Sequence, residues 1–156
     1  MSRVMLIALF AVSSLTRAEP IQLPLSVLMS VDLCPGDIGL LFSLTNRSSE
    51  PITIDESALP WVGRYSITIL AVPKKSDPLS GIFPVEDFFA EKAITLQPGE
   101  TRNGRVPLNW HVKDLQKVLQ VRDVLVFWHY EPKNIARASL GEYGGWITLK
   151  ALRSNQ

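Results

Sequence analysis

Apolar and polar residues alternate along most of this chain. In residues 25–33 (LSVLMSVDL), Leu25, Val27, Met29, Val31 and Leu33 fall on one face. In residues 38–46 (IGLLFSLTN), Ile38, Leu40, Phe42 and Leu44 do the same. A period of two is the signature of a half-buried strand. Cys34-Pro35-Gly36-Asp37 separates the two runs as a turn, with Pro pre-setting φ and Gly free to take a positive φ. After the polar break 46–51, a short strand is predicted at 52–54. Residues 64–72 alternate again, with Tyr65, Ile67, Ile69 and Ala71 inward. Further strands are predicted at 92–96, 102–108, 122–130 and 145–152. The run 122–130 (RDVLVFWHY) is apolar on both faces at its start, as a central strand would be, with Leu125 or Phe127 expected in the core. The one helical pattern is 111–120, where Val112, Leu115, Val118 and Leu119 form a stripe.

About eight short strands with a turn signal every ten residues or so predict an all-β fold, an immunoglobulin-like antiparallel β-sandwich with one short helix. Two segments carry a resemblance. The run 42–54 (FSLTNRSSEPITI) ends a strand in Thr-Asn and turns a corner, and 94–101 (ITLQPGET) is a Pro-Gly corner. With Gly63-Arg64-Tyr65 between them, their order over residues 38–108 resembles bacterial proteinase-inhibitor sandwiches of the BsuPI type. The resemblance implies the sandwich fold; the segment 73–90 and the helix 111–120 depart from it. It rests on turn chemistry, so no functional residue is carried over.

The N-terminus changes the picture. Met1-Ser2-Arg3 precedes a nine-residue apolar run, 4–12, and small residues follow up to Ala18. This is the pattern of a secretory signal peptide, with cleavage expected after Ala18, leaving 19–156 as a single domain. The run is too short to cross a bilayer, which takes about 20 apolar residues. Arg3 and Arg17 would leave with the leader, turning 16 basic against 15 acidic residues into 14 against 15. A near-neutral secreted or periplasmic domain has no long-range field to draw it to nucleic acid or anionic lipid. No nucleic acid and no stable membrane insertion are therefore expected.

Residues suited to catalysis are sparse. The two histidines are His111 and His129, and His129 shares a strand face with Glu131. A zinc site would need His111 to join them in space, and no metal-spacing motif is present. Cys34, the single cysteine, lacks the local motifs of thiol enzymes and reads as a packed free thiol. Gly141-Glu142-Tyr143-Gly144-Gly145-Trp146 precedes a strand and lacks Lys-Ser/Thr, so it reads as a hairpin turn and not a phosphate cradle. Asn46-Arg47-Ser48 fits the N-glycosylation sequon, read as idle in a bacterial context. No catalytic, metal or cofactor residue is assigned.

Aromatic residues remain. Trp128 and Tyr130 share a strand face, and with Trp146 on the neighbouring final strand they would form an interface patch if that face is outward, or core tryptophans if it is inward. The long segment 73–90 carries Phe83, Phe88 and Phe89 among three prolines, as either a structural flap or a partner-binding loop. The six aromatics are the candidate partner-binding residues. The expected function is a secreted or periplasmic, non-catalytic binding protein with a protein partner. The alternatives are an inhibitor or immunity-type protein blocking a hydrolase, a small metal- or thiol-dependent enzyme, and a structural accessory of the envelope.

Overall fold

The computed structural model describes residues 23–34, 37–63, 66–79, 81 and 92–152. The expected leader with its cleavage point at Ala18, the Cys34 side chain, Tyr65, Phe83, Phe88 and Phe89 lie outside the described residues. Eight strands and one short α-helix are found among them: β1 (Leu25–Cys34), β2 (Asp37–Asn46), β3 (Ile52–Asp55), β4 (Ile67–Pro73), β5 (Ala93–Leu96), β6 (Thr101–Pro107), α1 (Leu115–Leu119), β7 (Val124–Tyr130) and β8 (Tyr143–Leu149). All pairings are antiparallel, in sheets ordered β1-β2-β6, β4-β7-β8 and β3-β5. The fold is the expected all-β antiparallel sandwich.

The core forms where the inward faces meet. Ile38, Leu40, Phe42 and Leu44 of β2 are all buried, as their alternation predicts. Phe42 meets Trp128 of β7 edge to face, with ring centroids 5.2 Å apart and planes at 79°. Ile52, Ile54 and Leu96 bring the small β3-β5 sheet into the same cluster. Gly104 of β6 lets the Trp61 indole lie directly on its backbone, since a β-carbon there would overlap the ring.

Two expectations are corrected. The inward residues of β7 are Val124, Val126, Trp128 and Tyr130, whereas Leu125 is half-buried and Phe127 exposed. In an antiparallel pair, residues directly opposite share a face. Ile67, Ile69 and Ala71 of β4 stand opposite Tyr130, Trp128 and Val126, so turning the β4 alternation inward carries Trp128 and Tyr130 with it. The helix is also shorter than the stripe 111–120. Leu108–Trp110 forms a 3₁₀ turn, and Asp114 takes φ 59°, ψ 13°. A left-handed residue cannot continue a right-handed helix, so α1 starts only after it. Val112, Leu115 and Leu119 are nevertheless buried as the stripe requires.

Tyr130 is fully buried, and its hydroxyl meets no hydrogen-bonding protein group among the described residues. Burial pushes its pKa well above the ordinary tyrosine value, and the neighbouring Tyr143 adds to this. With the folded pKa raised, the stability tied to the neutral phenol is present below the unfolded value of about 10 and is lost as pH rises beyond it. Tyr130→Phe is expected to melt at or above the wild-type temperature at pH 8 and to lose less stability at a pH of about 11. A melting temperature several degrees lower at pH 8 would show that the hydroxyl contributes a bond in the fold.

Candidate functional site

The outer face of the β4-β7-β8 sheet is built in cross-strand rows. Leu70, Phe127 and Trp146 stand opposite one another across the three strands. Their relative exposures are 45%, 39% and 66%, so a continuous row of large apolar side chains faces solvent. On one side, Val72, Leu125 and Thr148 form the next row; on the other, Thr68, His129 and Gly144 do. Val72 and Leu125 are half-buried and extend the apolar strip.

Local sequence explains why Trp146 is displayed. Gly145, its neighbour, points inward over the Trp128 indole, where a β-carbon would come within 3.2 Å of Nε1. The bulk that fills the core at this level comes from Trp128, and the final strand contributes only a hydrogen atom. Period two then sends Trp146 outward. The expected surface of Trp128, Tyr130 and Trp146 therefore does not form. Trp128 and Tyr130 face the core, while Trp146 stands opposite Phe127 on the other face.

A polar cleft of about 480 Å³ adjoins this strip, lined by Ser57, Ala58, Ser66, Thr68, His129, Glu131 and Lys133. His129 and Glu131 do share a face, and both reach it. Ser57 donates through Oγ and backbone N–H to Asp55 Oδ1, at 2.8 and 2.9 Å, and Ser66 Oγ donates to the Leu59 carbonyl at 2.8 Å. These hydroxyls serve their own loop. His129 Nε2 lies 4.0 Å from Glu142 Oε2, and Lys133 Nζ lies 3.9 Å from Glu131 Oε2. All four side chains are well exposed, and such long surface pairs contribute little. The cleft presents hydrogen-bonding groups at the border of an apolar strip.

His111 is buried and lines a separate small cleft with Pro60, Trp61, Val106 and Trp110, so the two histidines are not brought into one cavity. Among the described residues, no three His, Cys, Asp or Glu side chains gather as a metal site needs. No helix among them is long and apolar enough to cross a membrane.

The outer face of the other three-stranded sheet differs in kind. Leu28 and Leu41 are exposed there, but each stands opposite a serine, Ser43 and Ser30. Arg105 donates to Asp32 at 2.7 Å and pairs with Asp37 at 2.9 Å on that face. Its apolar residues are interrupted, whereas Leu70, Phe127 and Trp146 are not. Sequence reasoning found Trp146 but missed Leu70 and Phe127. The available signal was the two-sided apolarity of 124–130, since a strand with one face in the core displays the other.

No family model and no curated protein matches this chain.

Proposed function

We propose that this chain is an exported, non-catalytic binding protein that engages a protein partner through the outer face of the β4-β7-β8 sheet. The observation that carries the reading is the unbroken exposed row Leu70–Phe127–Trp146. Burying a large apolar side chain gains about 1.5–3 kcal/mol, so three in one row supply an interface centre. Trp is among the residues enriched at such centres. His129, Glu131, Lys133 and Glu142 supply the polar rim that protein interfaces carry. The near balance of 16 basic and 15 acidic residues fits recognition by shape and apolar contact and not by a long-range field. Export rests on the leader pattern of residues 1–18.

One experiment addresses both parts. The protein is expressed in a Gram-negative host and recovered from the exported fraction, where its intact mass should begin at Glu19. It is then used as bait in envelope extract beside Phe127→Ser. The exposed position should leave the melting temperature within a few degrees of wild type. A partner captured by wild type and lost with Phe127→Ser supports the reading. Equal capture by both would move recognition off this face, and a retained Met1 in the exported fraction would remove the leader.

A further inference from the structure

The outer edge of β8 differs from the other sheet edges. The other long edge strands carry features that discourage further pairing. β1 contains Asp32, β6 contains Arg102 and Arg105 and ends on Pro107, and β4 ends on Pro73 with Lys74 and Lys75 beyond it. Charges and prolines are the usual means of blunting a sheet edge. β8 (YGGWITL) contains neither, and among the described residues no strand pairs with its outer side. Every second residue of such a strand directs its N–H and C=O away from the sheet, ready for a partner strand.

The sequence of β8 also specifies how a copy would fit. The strand runs from Tyr143 to Leu149, so its midpoint is Trp146. Antiparallel pairing about a two-fold axis reaches full overlap when residue 146 meets its own copy. Gly144 then faces Thr148 of the second copy, and Gly145 faces Ile147. The row on the outer face becomes Leu70, Phe127 and Trp146 followed by the same three residues in reverse order, across six strands. Moving the centre to residue 145 would shorten the pairing and set Trp146 against Gly144.

Charges flanking the strand select the same register. Glu142 immediately precedes β8 and Lys150 immediately follows it; their side chains are 76% and 78% exposed. In the register centred on Trp146, Glu142 of each copy faces Lys150 of the other, giving two complementary pairs. We propose that this protein forms a symmetric dimer by β8-to-β8 addition centred on Trp146. The dimer shares Trp146 with the partner face proposed above but rests on the β8 edge and its flanking charges, and Phe127, whose substitution tests the partner reading, lies one strand in from the new seam.

Sedimentation velocity on the purified chain tests this. Wild type should show a concentration-dependent species of twice the monomer mass. Trp146→Lys should raise the dimer dissociation constant by about 30-fold or more, as for a central anchor residue. Glu142→Lys sets like charges together at both ends of the seam and should weaken the dimer by about tenfold. The double variant Glu142→Lys with Lys150→Glu, compared in an Asp123→Asn background because Lys150 Nζ lies 3.2 Å from Asp123 Oδ2 of its own copy, should restore it, a rescue that this register provides. Glu142, Trp146 and Lys150 are exposed, and melting curves check that each variant is folded. A monomer at ~100 μM, two decades above a micromolar dissociation constant, overturns the proposal. So does a dimer indifferent to Trp146→Lys, or a charge swap that restores nothing.

Discussion

Phe42→Ala is expected to cost about 3–5 kcal/mol, the range for removing a buried aromatic ring and leaving a cavity. Phe42 is 1% exposed and lies between Leu40 and Leu44, both fully buried on the same face of β2. It is also the point where the two sheets touch through aromatic contact, edge-on to Trp128. Its loss removes that contact from Trp128, whose indole also lies close against Gly145. Collapse into the space would require both sheets to move, so the higher end of the range is expected. Leu41→Ala is the control. Leu41 is the next residue on the same strand but faces outward at 42% exposure, and it should change stability by about 0.5 kcal/mol or less. Chemical denaturation of the pair measures the difference. Equal losses would mean that the face of β2 has been assigned wrongly.

Asn46→Asp is expected to cost about 3–5 kcal/mol at neutral pH, as when a buried charge is left without compensation. Asn46 is 1% exposed, yet it ends a strand and begins a corner. Its Nδ2 donates to the carbonyls of Glu50, at 2.7 Å, and Leu96, at 2.9 Å. Its Oδ1 accepts from the backbone N–H and the hydroxyl of Ser48, at 2.9 and 2.7 Å. Its backbone N–H donates to Glu100 and its carbonyl accepts from Gly99. One residue thus ties the corner 46–51 to the end of β5 through its side chain and to the corner 97–100 through its backbone. The substitution keeps the shape but sets a carboxylate oxygen against two carbonyls. Protonating the introduced carboxyl restores one donor, so the loss should shrink as pH falls, and melting at pH 7 and at a pH of about 4 reads this. A variant as stable as wild type at neutral pH would show that the corners hold together without the amide. The same geometry bears on the sequon Asn46-Arg47-Ser48, because a glycan would need the nitrogen that already donates to both carbonyls.

Where a strand had one apolar and one polar face, its role was legible in the sequence. Ile38, Leu40, Phe42 and Leu44 alternate with mostly smaller or more polar neighbours, and burial follows from hydrophobic transfer alone. The corners at 46–51 and 97–101 were equally legible, because Asn, Pro and Gly restrict the backbone locally. Strand number, the antiparallel architecture and the position of the one helix follow from these local signals, within a few residues at each end.

The candidate site was legible only in part. Leu125, Phe127, Trp128 and Tyr130 are all good core residues, so period two states which of them travel together but not which pair turns inward. That choice belongs to the pairing with β4, where Ile67, Ile69 and Ala71 stand opposite Tyr130, Trp128 and Val126. Trp128 takes the inward space against Phe42, and Gly145 yields to it. Phe127, Leu70 and Trp146 are then left outside in one row. Strand geometry and turn chemistry act over a few residues, so the shared faces and the turns could be read from the chain alone. Which face meets the core depends on cross-strand register and on the volume the opposing sheet leaves to be filled, and is settled only when the sheets pack together.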